Sequence, residues 1–182
     1  MEEKRKSAIF FDRDGVLNID KGYVFRPADF TWVIGAKEAI KLANEQGFKT
    51  FVVTNQSGIA RGLYTVEDMH ALHDWMQREL VEIGGKIDRF YYCPYHDIGE
   101  VPQYLVPNHP DRKPNPGMVL RAIEDFKIDA ASSLLIGDKL SDIEAAKSAN
   151  VEGLMFEGGN LRECLENWLI GRGLLTQSAI ND

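Results

Sequence analysis

The chain has 182 residues, with 21 Lys+Arg against 28 Asp+Glu and a formal net charge of −7. Its 44% hydrophobic and 27% charged residues are the composition of a folded globular protein, long enough for a sizeable core. An acidic chain lacks the basic surface that coating nucleic acid or an anionic membrane requires, and no apolar run approaches the ~18 residues of a membrane span.

Residues 2–6 are all charged, and the five apolar or small residues after them (Ser7 to Phe11) are too few for a signal-peptide core. Cys93 and Cys164 make no disulfide framework, so the expected compartment is a reducing cytoplasm. Ala8–Phe11 reads as a buried strand. Ala36–Gln46 reads as a helix ended by Gly47, and Thr50–Val53 as a second strand. A long helix is predicted from Val66 to Ile83, because Met69, Leu72, Met76, Leu80 and Ile83 make one apolar stripe. Thr65 is its expected N-cap. Ile87–Tyr92 is the candidate third strand. Five prolines between Cys93 and Pro116 (94, 102, 107, 110 and 114) disfavour a helix or central strand there. Asn115-Pro116 is expected to open a helix as N-cap and first turn. Ser133–Ile136 is the fourth strand, and Ser141-Asp142-Ile143-Glu144 has the pattern of a capping box. Gly153–Phe156 is a fifth strand candidate and Leu161–Ile170 a last helix, followed by a tail over 171–182. One domain over 1–182, with a core of about 7–170, accounts for these elements.

Alternating strands and helices imply an α/β fold, a Rossmann-like parallel sheet with helices on both faces. Ligands of such sheets sit beyond the carboxyl ends of the strands. The residues found there are Asp12-Arg13-Asp14-Gly15 after the first strand, Thr54-Asn55-Gln56-Ser57-Gly58 after the second and Gly137-Asp138-Lys139 after the fourth. Arg112-Lys113-Pro114 lies in the irregular segment.

These four stretches, in this order and spacing, resemble the haloacid dehalogenase superfamily of phosphotransferases. Thr54-Asn55-Gln56-Ser57-Gly58-Ile59-Ala60-Arg61-Gly62 is the most specific of them, and the resemblance covers roughly residues 8–156. More narrowly, the chain is similar to the D-glycero-D-manno-heptose 1,7-bisphosphate phosphatases, with the histidinol-phosphate phosphatases as close relatives. The short loops after the first two strands leave no room for a large cap domain.

Phosphoryl transfer needs a nucleophile, a proton carrier, a cation and phosphate clamps. Asp12 suits the nucleophile, forming an aspartyl-phosphate. Asp14 suits the acid that protonates the departing oxygen and then the base for water. Asp12, the Asp14 backbone carbonyl and Asp138 offer the oxygen ligands that Mg²⁺ prefers. Asp142 reads as a helix-start charge or a support behind the ligands. Thr54 and Lys113 supply a hydroxyl and an ammonium to clamp the phosphoryl group. The resemblance further implies substrate contacts from Asp20, Lys21, Gly22 and Tyr23, from Thr54, Asn55, Gln56 and Ser57, and from Arg112, Lys113 and Lys139. Arg61 reads either as a ligand for a second phosphate or as a surface or helix-capping charge.

In the resembled family the loop before Arg-Lys-Pro often holds zinc through Cys-x-His and Cys-x-Cys pairs. Here Tyr95 and His96 follow Cys93, and the later pair is His109-x-Asp111. Cys93, His96, His109 and Asp111 could still form four ligands, though weaker than thiolates, or the loop is held without zinc. His70 and His73 read as surface or core-edge residues, Cys164 as a small helix residue, and Trp32, Trp75 and Trp168 as packing.

The expected function is a Mg²⁺-dependent, monomeric, cytoplasmic phosphatase acting on the 7-phosphate of a heptose 1,7-bisphosphate. The resemblance places it in the route to activated ADP- or GDP-heptose for lipopolysaccharide core. A histidinol-phosphate or other small sugar phosphatase is the alternative. A non-catalytic phosphate-binding or phospho-accepting signalling domain is a third, disfavoured because a receiver's metal-binding acids precede its phosphorylated aspartate, whereas here Asp12 and Asp14 start the site.

Overall fold

The computed structural model describes residues 5–176; residues 1–4 of the charged start and tail positions 177–182 lie outside the described residues. The strands are β1 (Ala8–Phe11), β2 (Lys49–Asn55), β3 (Arg89–Cys93), β4 (Leu134–Gly137) and β5 (Glu152–Met155). The helices are α1 (Ala36–Glu45), α2 (Val66–Glu82), α3 (Gly117–Phe126), α4 (Leu140–Ser148) and α5 (Leu161–Gly171). All strand pairs are parallel, in the order β3-β2-β1-β4-β5, as the alternating pattern requires. This is the Rossmann-type order; phospho-accepting receivers share the flavodoxin-like order 2-1-3-4-5, so the sheet itself speaks against the signalling alternative.

β1 is wholly buried because helices cover both faces of the sheet. Its side chains alternate between them. Ile9 and Phe11 join Val52, Leu134 and Ile136 against α1, α2 and α5, through Ile40, Leu72, Met76 and Leu165. Ala8 and Phe10 join Phe51, Val53 and Leu135 against Met118, Val119 and Ala122 of α3 and Ala146 of α4. Trp32, Trp75 and Trp168 pack against the first of these layers, as expected of packing residues, and so does Cys164. Leu175 packs there too, so the chain beyond α5 remains attached to the core as far as that residue.

Several boundaries move. β2 runs two residues past Val53, and β3, β4 and β5 each differ by one or two residues at their ends. α3 begins at Gly117 with Pro116 as its N-cap, not Asn115. The Asn115 amide instead ties the preceding loop, donating to Asn108 Oδ1 at 2.9 Å and His109 O at 3.0 Å. α4 starts at Leu140, so the cap is Lys139 rather than Ser141, and its amide donates to Asp142 Oδ2 at 3.0 Å. Thr65 caps α2 as expected, reciprocally with Asp68.

Candidate active site

The carboxyl ends of β1, β2 and β4 form the floor of a cleft of about 670 Å³. It sits where the strand order reverses between β1 and β4, the point at which open α/β sheets bind ligands. Its lining includes Asp12, Asp14, Asp20, Gly22, Tyr23, Asn55, Gln56, Ser57, Arg112, Lys113, Lys139 and Asp142, so most of the expected residues converge.

β1 ends at Phe11, and the chain then turns: the amides of Leu17 and Asn18 return to Arg13 O at 2.9 and 3.1 Å. Asp14 therefore reaches the cleft through a turn and not through strand alternation. Asp12 accepts from the Arg13 amide at 2.7 Å and from Lys113 Nζ at 3.0 Å. Both contacts fall on Oδ1, leaving Oδ2 without a protein donor among the described residues. Burial, the largest influence, pushes the Asp12 carboxyl up to about 7; the Lys113 ammonium opposes it, while Asp142 and Asp14 reinforce it.

Lys113 is 4% exposed. Its Nζ also lies 2.6 Å from Asp142 Oδ1 and donates to Val53 O at 2.8 Å. The carboxylates around it hold its pKa above the ordinary lysine value despite burial. Its backbone is clamped by Asn55, which accepts from Lys113 N at 3.1 Å and donates to Lys113 O at 3.0 Å.

Asp12, Asp138 and Asp142 present oxygens within 4.8 Å of one another. Glycines make room for this. A Cβ on Gly15 (φ +95°) would meet Asp138 Oδ2 at 2.2 Å, and one on Gly137 would meet Asp142 Cβ at 2.1 Å. Three carboxylates face two ammoniums, Lys113 and, 3.9 Å from Asp138, Lys139, which leaves an uncompensated negative charge, and Asp138 Oδ1 is buried with no hydrogen-bond partner among the described residues. A divalent cation with oxygen preference fits both the charge and the orphaned oxygen. Burial raises Asp138 above the usual carboxylate range, with Lys139 opposing.

Asp14 is held only by donors: Arg13 Nη2 at 3.0 and 2.9 Å, Asn18 Nδ2 at 3.0 Å and Gln56 Nε2 at 3.0 Å. Arg13 is fully buried and also donates to Val24 O at 2.6 Å. Its role was missed at the sequence level. The available signal was an arginine at the end of a buried strand, which must be paired to be there.

Some expected residues serve otherwise. Lys21 lies outside the lining and folds onto Thr31 Oγ1 at 2.8 Å and Asp29 O at 3.2 Å. Arg61 also lies outside it, on the tight turns of residues 57–62, with Arg61 N on Ser57 O at 3.1 Å. Thr54 is buried, its Oγ1 accepting from Gln56 Nε2 at 2.7 Å. The amides of Asn55 and Gln56 are committed to protein partners. Asp142 is more central than a helix-start charge, since it both caps α4 and pairs with Lys113. His73 is buried, stacked on Phe90 at 4.4 Å, and not at the surface or core edge.

The four zinc candidates do not converge into a ligand group among the described residues. The Cys93 thiol is buried, which pushes it up to about 11, and it faces Tyr95 O. His96 Nδ1 accepts from the Ile98 amide, His109 Nδ1 from the Asp111 amide, and Asp111 pairs with Arg121. Tyr95 stacks on His109 at 4.0 Å, and Arg112 donates to Tyr95 O. Aromatic stacking and hydrogen bonds thus knit this loop together.

Residues 111–168 match the HAD-hydrolase-like family. The chain is 41% identical over 91% of its length to a D-glycero-beta-D-manno-heptose-1,7-bisphosphate 7-phosphatase of Rhodopseudomonas palustris, covering 92% of that protein. It is 45% identical over 81% of its length to the corresponding alpha-anomer enzyme of Burkholderia mallei, covering 77% of it. In structure it matches a D,D-heptose 1,7-bisphosphate phosphatase from B. bronchiseptica, solved with magnesium and phosphate. The TM-score is 0.75 at 31% identity, over 94% of this chain and 89% of that one.

Proposed function

The chain belongs to the D-glycero-D-manno-heptose 1,7-bisphosphate 7-phosphatases of the HAD-like hydrolases, and from that premise we propose that it removes the 7-phosphate of this sugar, with Mg²⁺ as cofactor. The observation that supports the reading most is the convergence of Asp12, Asp138 and Asp142 around buried Lys113 on the cleft floor.

Asp12, the Asp14 carbonyl, Asp138 and Asp142 are the oxygen donors that would hold Mg²⁺. When bound, the ion supplies charge neutralisation between the carboxylates and the phosphoryl oxygens. The Asp12 carboxylate attacks phosphorus, and the bond from phosphorus to the sugar oxygen breaks. Asp14 delivers a proton to that oxygen, releasing the heptose 1-phosphate. Asp14 then takes a proton from the water that attacks the aspartyl-phosphate, which regenerates Asp12 and frees inorganic phosphate. Lys113 offsets the Asp12 charge, and the Thr54 hydroxyl donates to the phosphoryl group. Arg112 and Lys139, with Asp20, Gly22, Tyr23 and Ser57, line the outer cleft, where the remainder of the substrate would lie. Lys139 is exposed there, 3.5 Å from Asp20.

Action as a monomer is part of the same proposal. No helix of the described residues is long and apolar enough to cross a membrane. A cytoplasmic place in the supply of activated heptose is part of the same proposal. The test compares kcat/KM on heptose 1,7-bisphosphate and histidinol phosphate with Mg²⁺ present. The expected result is release of one phosphate per bisphosphate and at least tenfold preference for it. A preference above about tenfold for histidinol phosphate, ~1.4 kcal/mol of transition-state binding, overturns the substrate assignment.

A further inference from the structure

Tyr64 belongs to none of the motifs above, yet it lines the cleft. It is 6% exposed, and its ring stacks on Phe25 at 5.0 Å with planes 13° apart. The edge of the ring is pressed against Gly58, where an added Cβ would lie 2.1 Å from Tyr64 Cε1. The phenol is therefore fixed in place, and it donates to Gln56 Oε1 at 2.5 Å. Burial pushes the Tyr64 hydroxyl above its ordinary range, consistent with a proton that stays on the phenol.

The Gln56 side chain is 1% exposed. Its amide has an acceptor end and a donor end, and a flip exchanges them. With Oε1 taken by the phenol, the two N–H groups must face the other way. One reaches Asp14 Oδ2 at 3.0 Å and the other Thr54 Oγ1 at 2.7 Å. Two consequences follow. The Asp14 carboxylate gains a further donor on Oδ2, beside Arg13 Nη2, while Asn18 holds Oδ1. The Thr54 oxygen receives a hydrogen bond, so its own hydrogen is left to donate to a phosphoryl oxygen. A flipped amide would set Oε1 against the Asp14 carboxylate and demand the Thr54 hydrogen for itself.

We propose that Tyr64 is a positioning residue, which acts through the Gln56 amide to orient both Asp14 and the Thr54 hydroxyl. The inference deepens the phosphatase reading and rests on it for the roles of Asp14 and Thr54.

Tyr64→Phe keeps the ring and its stack on Phe25 and removes the one donor. On heptose bisphosphate the expected loss is about tenfold in kcat with KM within about threefold, a part of the ~10²–10⁴ that a placed acid–base group contributes. On p-nitrophenyl phosphate, whose leaving group needs no proton, the loss is expected to be clearly smaller. In a Gln56→Leu background, adding Tyr64→Phe is expected to cost less than about twofold, because the two residues share one path. In the 15N spectrum, the two Gln56 side-chain N–H signals are expected to be distinct and slowly exchanging in the wild type. In Tyr64→Phe they should lose that protection.

Losses that multiply independently, equal losses on both substrates, or unchanged Gln56 signals would each overturn the proposal. If the wild type fails on heptose bisphosphate but hydrolyses another alkyl phosphate, such as fructose 1,6-bisphosphate, the substrate reading falls. The cycle is then read on that alkyl phosphate, and the spectrum needs no substrate at all.

Discussion

Lys113 shows how a single side chain sets the state of its neighbours. A buried ammonium is tolerated only when paired, and here two carboxylates and a carbonyl satisfy it. Replacing it with Met leaves Asp12 and Asp142 buried without that partner. The expected result is a loss of more than ~10²-fold in kcat and ~3–5 kcal/mol in unfolding free energy, the range for breaking a buried pair, read by phosphate release and urea titration. Asp12→Asn should behave differently. It removes a nucleophile that burial makes costly to ionise, so turnover is expected to vanish while the metal-free protein melts no lower than wild type at pH 8. Wild-type-like turnover in that variant would sink the aspartyl-phosphate mechanism. Asp12, Lys113 and Asp138 were legible in the sequence because their positions follow from strand ends and a short motif. The directions of the Asn55 and Gln56 amides were not. Each depends on partners distant in the chain or on a rotamer that no motif encodes: Lys113 for Asn55, and Asp14, Thr54 and Tyr64 for Gln56.

At the scale of elements, apolar runs, a helical stripe and cap patterns were enough to place the strands and α-helices of the described residues, though not the short 3-10 turns, because burial on both faces of a sheet leaves a continuous apolar signature. Boundaries shifted where side chains compete for the same backbone groups. Asn115 has the chemistry of an N-cap, but loop carbonyls at residues 108 and 109 claim its amide. The 94–116 segment was the least legible part. Its order comes from contacts such as the stack of Tyr95 on His109, which composition does not reveal. The junction between β4 and α4 carries the sharpest element-level constraint. Gly137 lets the start of α4 approach so closely that Asp142 can both cap the helix and reach Lys113. Gly137→Ala must displace Asp142, so a fall of more than about tenfold in kcat and a cost of ~1–3 kcal/mol are expected. Gly85→Ala is the control. Its new Cβ meets nothing closer than 3.6 Å, and activity should be unaltered. Equal behaviour of the two variants in phosphate release and urea titration would show that the junction is looser than drawn.

For the whole molecule, a net charge of −7 excluded polyanion binding but said little about a bound sugar phosphate. Arg112, Lys113 and Lys139 line the same cleft as the acids, so the local field differs from the total. That field also couples cation binding to pH. The Asp12 carboxyl is raised to about 7 in the metal-free protein, so the folded chain keeps a proton that the unfolded chain has released above pH 3.8. Stability from this group is present at low pH and is lost as pH rises through 7. Mg²⁺ must displace that proton, so its apparent affinity should fall by up to about tenfold per pH unit below 7 and level off above it. His73 works in the opposite sense. Burial and the nearby Arg13 hold its pKa well below 6.5, so its contribution is lost as pH falls below 6.5. It contacts no member of the Asp12, Asp138 and Asp142 group, so its titration enters the metal-free and Mg²⁺-loaded states alike and cancels in their difference. The measurement is therefore the rise in Tm caused by a fixed Mg²⁺ concentration, taken at pH 6 and pH 8. A larger rise at pH 8 is expected. An equal rise at both would mean that Asp12 is already ionised without the cation, and that Lys113 outweighs burial at the centre of the site.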